Sequence, residues 1–247
     1  MAADWVCFNS RYHHDEFLNA LTPFLQQFPD FQEIELVDSI RKKSSVLELG
    51  MDLKKFDNYK VALPNKIPII LWNHRWEYDK NPSSFFKVLF RLKKEKIDFR
   101  LVVLGKKYQQ SPSIFSEAEI YLKEEILHFG YAEDFETYAQ WLWRADVLPV
   151  TNHQDFFGGS IVEAIYCNTY PILPNRLAYP AHIPEEEYSK HFYDGTDDQL
   201  YFQLKKILKT LKNNPTTFTL NNYVHHYDWR TFASVYDALF SKISSDF

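Results

Sequence analysis

One stretch of the chain, residues 155–163 with the sequence DFFGGSIVE, combines residue types that suit an anionic, hydroxylated ligand. Gly158 and Gly159 lack Cβ atoms, so a ligand can approach their backbone closely. The N–H groups at the start of the helix that follows favour a phosphate or diphosphate. Glu163 lies about one turn into that helix, where its carboxylate could accept hydrogen bonds from sugar hydroxyls. Asp155 precedes the helix and could reach a second sugar-like group.

This stretch also fits a plain loop-to-helix junction, in which Glu163 only complements the positive end of the helix macrodipole. Glycine-rich helix starts are common in proteins, so the segment alone leaves both interpretations open. The choice between them depends on what the neighbouring loops contribute.

A second polar stretch, residues 73–81 with the sequence NHRWEYDKN, directly follows a short apolar run that predicts a strand. Arg75 and Lys80 could together neutralise a diphosphate, because Arg offers a bidentate fork and Lys a point charge. A solvated loop that pairs these charges with Glu77 and Asp79 is the simpler interpretation of the segment on its own.

Histidines and cysteines give weaker signals. His74 and His153 could act as acid–base groups or metal ligands, but no spacing of His or carboxylate residues supports a metal site. The two cysteines, Cys7 and Cys167, lie far apart, which excludes a disulfide-rich module and a Cys-based zinc site. Cys167 follows an apolar helix face, which is typical of a buried small hydrophobe rather than a nucleophile.

The elements that must position these residues follow a regular pattern after residue 66. The predicted strands are 69–72, 99–104, 127–129, 147–150 and 170–173, and the predicted helices are 82–94, 113–123, 134–144, 159–166, 199–211 and 229–243. This alternation predicts βαβ units in a parallel sheet, whose ligands bind at the carboxyl ends of the strands. Gly105 and Gly130 each end a strand, which places permissive backbone at that edge.

The N-terminal part of the chain is less regular. Two short strands, 5–8 and 45–49, flank a helical pattern around 17–25, in which Pro23 argues against one continuous helix. Residues 58–66 show little periodicity and contain a proline, which predicts a linker.

The composition sets outer limits on function. The chain has 247 residues and a formal net charge of −5, and 45% of its residues are hydrophobic, which is ordinary for a globular protein. The acidic balance argues mildly against a dedicated nucleic-acid binder, whose affinity rests on a basic surface. The apolar runs have strand length and no signal segment opens the chain, so we expect a cytoplasmic protein without membrane contact.

Several motifs resemble one enzyme class. Asp155 and Glu163, eight positions apart, resemble the E-x7-E signature of the retaining GT-B glycosyltransferases of family 4, with Asp in place of the first Glu. Arg75 and Lys80 resemble the phosphate-binding Arg and Lys of that family. More specifically, the segments HRWEYDKNP, FGY, DFFGGSIVEAIYC and PNRLAYP are similar to those of the tRNA-queuosine α-mannosyltransferases. The strongest similarity begins at about residue 67 and continues to the C-terminus.

The resemblance implies an α/β fold, with a GT-B C-terminal Rossmann-like domain built on a parallel sheet and a partial N-terminal α/β segment. It assigns residues 61–247 to the domain that binds the donor nucleotide sugar. Residues 1–60 are then a remnant of the acceptor-side domain together with the linker. The front of that domain is expected to be missing, and the tRNA acceptor is expected to bind through it.

The resemblance also implies substrates and residue roles. The donor would be GDP-mannose, the acceptor queuosine at the wobble position of tRNA-Asp, and transfer would retain the anomeric configuration without an obligatory metal or other cofactor. The residues implied as catalytic are Asp155, on the mannose hydroxyls, and Glu163, on the donor ribose. The residues implied as donor-binding are Arg75, Lys80, Gly105, Tyr131, Phe157, Gly158, Gly159, Ser160 and Glu163. Catalysis would rest on positioning and on stabilising the charge of the departing diphosphate.

Two positions depart from the family pattern. Asn168 replaces the Gly that usually follows the helix Cys, and Asn can still adopt a left-handed conformation at modest cost. Ala181 replaces the usual Glu after Tyr-Pro, so any role of that carboxylate is absent.

Three hypotheses follow. The chain is a mannosyltransferase or the donor half of one, or a nucleotide-sugar-binding remnant without turnover, or a family 4 transferase that uses a UDP- or ADP-sugar and another acceptor. Because the front of the N-terminal domain is expected to be missing, donor binding should survive better than transfer. Robust mannosylation of tRNA by this chain alone would contradict that expectation.

Overall fold

The computed structural model describes residues 3–61, 65–106, 110–213 and 220–245, so part of the predicted linker, residues 62–64, lies outside the described residues. The strands are β1 (Val6–Phe8), β2 (Ser44–Val46), β3 (Ile69–Trp72), β4 (Arg100–Leu104), β5 (Ile126–Gly130), β6 (Val147–Pro149), β7 (Tyr170–Pro174) and β8 (Phe192–Tyr193). The helices are α1 (Arg11–Leu25), α2 (Leu36–Lys42), α3 (Pro82–Lys94), α4 (Ile114–Tyr121), α5 (Phe135–Arg144), α6 (Gly159–Tyr166), α7 (Tyr188–His191), α8 (Asp197–Asn213), α9 (Asn221–Val224) and α10 (Trp229–Ser245). These elements form two compact units, Met1–Met51 with His226–Phe247, and Asp52–His225.

The first unit combines the N-terminal segment with the C-terminal helix. β1 and β2 pair in parallel, and Ser10 caps α1, because its hydroxyl accepts a hydrogen bond from the His13 amide. α1 continues through Pro23 and ends two residues later at Leu25, although this proline argued against one continuous helix. The Trp229 amide at the start of α10 donates to the Met51 carbonyl at 2.7 Å.

The second unit is built on a parallel sheet of six described strands in the order β5-β4-β3-β6-β7-β8. The central strand β3 is buried at every position, as expected for a parallel strand covered by helices on both faces. α3 begins at Pro82, which is favourable at a first helical position. Its apolar face packs on the sheet through Phe85, whose ring centroid lies 4.9 Å from that of Trp72.

The sheet contains one point where the strand order reverses. From β3 the chain proceeds outward to β4 and β5, and it then returns to the other side of β3 with β6. The loops that follow β3 and β6 therefore diverge, which leaves a crevice at their carboxyl ends. Asp146 fixes the other end of β3, because its Oδ2 accepts hydrogen bonds from the Ile69 amide at 2.7 Å and from Asn65 Nδ2 at 2.8 Å.

A 3-10 helix, Leu53–Tyr59, belongs to the second unit. The buried ring of Phe56 packs on the Phe135 ring of α5 at 4.9 Å, and the Trp143 indole donates to the Phe56 carbonyl at 2.7 Å. The two units therefore divide after Met51, whereas the sequence prediction places the domain boundary at residue 60.

Candidate functional site

A cavity of about 640 Å³ opens at the carboxyl ends of β3, β4 and β5. The loops that follow these strands, together with the first turns of α5, supply its walls. The lining residues are Asn73, His74, Arg75, Leu104, Gly105, Lys106, Tyr131, Ala132, Glu133, Asp134, Phe135 and Tyr138. This cavity therefore lies at the edge where the parallel sheet was predicted to bind a ligand.

Gly105 allows the loops after β3 and β4 to approach each other. Its φ of +126° is one that L side chains rarely adopt, and a Cβ at this position would lie 2.5 Å from the His74 carbonyl oxygen and 2.8 Å from the Trp76 indole. Glycine is required here both for backbone conformation and for space. Gly105, which the resemblance implies as a donor-binding residue, thus also allows the two loops of the cavity wall to pack together.

The start of α6 presents glycine-rich backbone next to the loop after β6. Gly158 caps the helix in a left-handed conformation with φ of +89° and ψ of 41°, and the first turn contains no acidic residue. The N–H groups of a first helical turn have no partners within the helix and attract anions. Gly159 and Ser160 are half-buried, so their amides can face a small anion.

Hydrogen bonds join the loop after β3 to this helix start. Asn73 Nδ2 donates to the Ser160 carbonyl at 2.7 Å, and Ser160 Oγ lies 3.2 Å from His74 Nδ1. Asn73 Oδ1 and His74 Nε2 are buried polar atoms without a hydrogen-bond partner among the described residues. Unsatisfied buried polar atoms are rare and often mark a place where a ligand or solvent completes the structure.

His74 is held as a neutral imidazole. Burial and, to a smaller extent, the positive charge of Lys80 together lower the pKa of His74 to about 3. The side chain therefore adds no positive charge to the cavity at neutral pH. His153, the other histidine considered from the sequence, is exposed.

Glu163 reaches the cavity through its contact with Tyr138. The Tyr138 hydroxyl on α5 donates a hydrogen bond to Glu163 Oε2 at 2.6 Å, and Tyr138 itself lines the cavity. Burial raises the pKa of Glu163 above its ordinary value, and the hydrogen bond from Tyr138 opposes that rise. The carboxylate is thus in contact with a residue of the cavity wall.

Lys80 joins the two loops at the reversal point. Its Nζ donates to the Gln154 carbonyl at 2.7 Å and lies 3.1 Å from Asp79 Oδ2, while the Thr151 hydroxyl donates to the Lys80 carbonyl at 2.9 Å. The ion pair with Asp79 is the one that the simpler interpretation predicts. Lys80 is nevertheless buried, with an exposed fraction of 8%, so it does not belong to a solvated loop.

Arg75 differs from Lys80 in its exposure. It pairs with Glu77 at 2.9 Å, as the solvated-loop interpretation predicts, and 61% of its side chain is exposed. Arg75 also lines the cavity. Its guanidinium can therefore exchange the Glu77 carboxylate for another anion at little cost, because exposed ion pairs contribute little to stability.

Asp155 is held by a separate set of side chains. Its Oδ2 accepts hydrogen bonds from Asn152 Nδ2 at 3.2 Å and from the Tyr179 hydroxyl at 3.4 Å. Arg176 fixes the same loop, because its guanidinium donates to the carbonyls of Asn152 and Thr151 at 3.0 Å. Hydrogen bonds from Arg176 and Tyr179, in the segment after β7, thus hold the loop that carries Asp155 in position.

The structure brings the predicted residues together in two neighbouring groups. Arg75, Gly105 and Tyr131 line the cavity. The others lie on α6 or on the loops joined to it, and they are Lys80, Asp155, Phe157, Gly158, Gly159, Ser160 and Glu163. The Phe157 ring is buried against His182 with 5.1 Å between ring centroids, so any contact of Phe157 with a ligand goes through its backbone.

Cys167 and Asn168 end α6 in ways that the sequence anticipates. The Cys167 thiol is buried and its pKa is raised by burial, which fits a small hydrophobe and not a nucleophile. Asn168 has a φ of +65°, so it does adopt the left-handed conformation.

Comparison with known proteins shows the family to which the chain belongs. Residues 54–223 match the family described as "Glycosyl transferases group 1". The chain belongs to that family. Residues 1–51 match a second family description, "tRNA-queuosine alpha-mannosyltransferase N-terminal".

One curated relative of this group 1 glycosyl transferase chain is the tRNA-queuosine alpha-mannosyltransferase of Drosophila melanogaster. The two are 34% identical over 194 residues, which cover 75% of this chain and 51% of the relative. The chain thus spans about half the length of the curated relative that it matches.

Solved structures show the same fold at low sequence identity. Sucrose-phosphate synthase from Thermosynechococcus elongatus superposes with a TM-score of 0.73 at 20% identity, covering 99% of this chain and 59% of the other. An Anabaena protein crystallised in complex with UDP gives a TM-score of 0.70 at 14% identity, covering 98% and 64%. The fold is therefore that of the GT-B glycosyltransferases, as the resemblance of the motifs implies.

Three side chains that shape the site were not assigned a role from the sequence: Tyr138, Arg176 and Tyr179. Helical periodicity marks Tyr138 only as an apolar position of α5. Arg176 and Tyr179 lie within the PNRLAYP segment, which resembles the family, but nothing local indicates that they contact residues 151–155. The one available signal for Tyr138 is a polar hydroxyl on an otherwise buried helix face, since buried Tyr hydroxyls usually find partners.

Two further observations bear on ligands and surroundings. Within residues 3–61, 65–106, 110–213 and 220–245, no cluster of His, Cys, Asp or Glu side chains could hold a metal ion. No helix in those same ranges has the length and apolar character needed to cross a bilayer.

Proposed function

We propose that this chain supplies the donor site of a retaining mannosyltransferase that moves mannose from GDP-mannose to queuosine in tRNA-Asp. The observation that carries the proposal is the contact of Glu163 with the wall of a cavity at the carboxyl ends of the sheet strands, in a chain of the group 1 family. The similarity to a relative named tRNA-queuosine alpha-mannosyltransferase supports the choice of sugar and acceptor.

Each part of the donor has matching chemistry along the crevice. Glu163 would accept hydrogen bonds from the ribose hydroxyls, because a carboxylate offers only acceptors. Amides of Gly159 and Ser160, together with Lys80 and Arg75, would hold the diphosphate.

The base would occupy the cavity that Tyr131 and Gly105 line. Asp155 would contact the mannose hydroxyls.

In the proposed reaction the anomeric carbon exchanges its bond to the diphosphate oxygen for a bond to the acceptor hydroxyl oxygen on the same face. The hydroxyl proton passes to the departing diphosphate. The protein would contribute by positioning the two substrates and by stabilising the negative charge that develops on the diphosphate. Lys80, Arg75 and the α6 amides are the groups that carry this electrostatic role.

A thermal-shift panel with GDP-mannose, GDP, UDP-glucose and ADP-glucose tests the donor. A ligand that binds only the folded protein stabilises it by about 2.7 kcal/mol at 100 times its Kd. We expect a selective rise in Tm with the guanosine ligands, and loss of that rise in Arg75→Ala and Glu163→Ala. Arg230→Ala and Glu186→Ala are matched controls, since both residues are exposed and lie outside the site.

The other outcomes distinguish the competing hypotheses. A rise in Tm only with UDP-glucose or ADP-glucose would favour a group 1 transferase with another donor, and the Anabaena structure in complex with UDP gives that outcome a precedent in this fold. No rise with any nucleotide would favour a remnant without an assembled donor site. Mannose transfer to queuosine-containing tRNA-Asp then tests the acceptor directly.

A further inference from the structure

We infer that Tyr138 is a positioning residue for the donor. The Tyr138 hydroxyl fixes the Glu163 carboxylate, so that the other carboxylate oxygen can accept a hydrogen bond from the ribose. The inference rests on the proposed function for the ribose contact, but not for the contact between the two side chains. Tyr138 would not touch the reacting atoms, and its hydroxyl would act on the ribose only through Glu163.

The geometry of the pair sets the orientation of the carboxylate. Tyr138 donates to Oε2 at 2.6 Å, and a phenol has only one O–H to donate. Because a carboxylate has two oxygens, this bond leaves Oε1 able to accept from a ribose hydroxyl. Rotation of the carboxylate about its terminal torsion, which is otherwise soft, would break the hydrogen bond.

The Tyr138 hydroxyl is itself held in place by packing. The Tyr138 ring lies 6.1 Å from the Phe56 ring and 6.3 Å from the Phe135 ring, as measured between centroids. Phe56 is buried, with 2% of its surface exposed. A tyrosine has only two side-chain torsions and loses little entropy when its ring is fixed, so α5 presents the hydroxyl at a defined point.

Burial and neighbouring groups together determine that Tyr138 keeps its proton in the contact with Glu163. Burial raises the pKa of Tyr138 well above its ordinary value, so the phenol stays a donor at neutral pH. Burial also raises the pKa of Glu163, and the bond from Tyr138 lowers it. Burial raises the pKa of Cys167, so its side chain stays a thiol. The charges of Glu163 and Asp57 raise this pKa as well, and that of Lys60 lowers it. Without the Tyr138 hydroxyl, Glu163 would therefore take up a proton at a higher pH.

A ligand-free titration tests the contact. The carboxyl signal of Glu163 would be followed by carbon NMR against pH in the unmodified chain, in Tyr138→Phe, and in Tyr121→Phe, a control at an exposed tyrosine of α4. We expect the pKa of Glu163 to rise in Tyr138→Phe and to stay unchanged in Tyr121→Phe. Equal values in all three proteins would overturn the inference.

A binding experiment tests the consequence for the ribose. Calorimetry would compare GDP with 2′,3′-dideoxy-GDP, which lacks the ribose hydroxyls. We expect Tyr138→Phe to weaken GDP about tenfold, the effect of one hydrogen bond to a charged group, and to leave the dideoxy nucleotide within about twofold of the unmodified chain.

Each remaining result has a distinct meaning. Equal weakening of both nucleotides would indicate a purely structural role for Tyr138 and would overturn the inference, as would no weakening of either. If the unmodified chain binds no GDP, while the pKa of Glu163 still rises in Tyr138→Phe, the proposed function fails and the contact between Tyr138 and Glu163 stands.

Discussion

The buried histidine at the end of β3 should make the stability of the second unit depend on pH in a way that one substitution can isolate. His74 is 4% exposed, and its pKa is lowered from 6.5 to about 3 by burial and by the charge of Lys80. In the unfolded chain the imidazole takes up a proton as the pH falls below about 6.5, whereas in the folded chain it stays neutral. The free energy of unfolding therefore decreases as the pH falls through this window.

The size of the effect follows from proton linkage. With a pKa of 6.5 in the unfolded chain and about 3 in the folded chain, lowering the pH from 7 to 5 removes roughly 2 kcal/mol of stability from this group. The loss continues down to the folded pKa and then stops. Above pH 7 the contribution is nearly complete, and His74 no longer makes the free energy of unfolding change with pH.

Urea unfolding at several pH values, for the unmodified chain and for His74→Gln, measures this contribution. Tryptophan fluorescence reports mainly on the second unit, because four of the six tryptophans lie there: Trp72, Trp76, Trp141 and Trp143. Other groups with shifted pKa values, such as Glu163 and Asp146, are present in both proteins and cancel in the comparison.

We expect the difference in unfolding free energy between the two proteins to change by about 2 kcal/mol from pH 7 to pH 5. Any constant cost of the substitution does not affect this slope. A difference that stays constant over the range would refute the reasoning, since it would mean that His74 takes up its proton equally in both states.

Three further outcomes are expected. Gly105→Ala should lower the free energy of unfolding by about 3 kcal/mol, from backbone strain together with its clash with the His74 carbonyl. Gly130→Ala should lose only about 1 kcal/mol in the same urea assay, because its φ is also positive but a Cβ there would have no heavy atom of the described residues within 4 Å, its chain neighbours apart. Arg176→Leu should release the 151–155 loop, seen as faster amide hydrogen exchange there; unchanged exchange would contradict the anchoring role.

Much of the second unit could be predicted from local sequence. The bounds of β3 and α3 follow from the sequence alone, since β3 is a run of buried apolar residues and α3 begins at a proline that favours a first helical position. α2 and the two-residue strand β8 were not predicted, because such short elements carry little periodicity. The 3-10 helix Leu53–Tyr59 joins the second unit only through long-range packing of Phe56 on α5, which no local pattern reveals.

Part of the candidate site could also be predicted from local sequence, and part depends on contacts that only the fold creates. Glycines at strand ends and helix starts could be recognised, because their backbone requirements are local. The contact between Tyr138 and Glu163 could not, since the two residues are 25 positions apart and meet only when α5 and α6 pack side by side. Similarly, the sequence shows that Lys80 has an acidic neighbour, Asp79, but not that Lys80 is buried against a carbonyl of a loop 74 residues further along the chain.

The hydrogen bonds of Lys80 also determine when this side chain loses its freedom. A lysine that is immobilised loses up to about 2 kcal/mol of rotamer entropy, and here the Gln154 carbonyl and the Asp79 carboxylate already impose that loss in the folded chain. The ammonium group has three protons, so one more donor remains for an incoming anion. Arg75, with most of its side chain exposed, must instead become ordered when the anion arrives. The two cations of this loop therefore differ in when their rotamer entropy is lost: that of Lys80 is lost during folding, and that of Arg75 during binding.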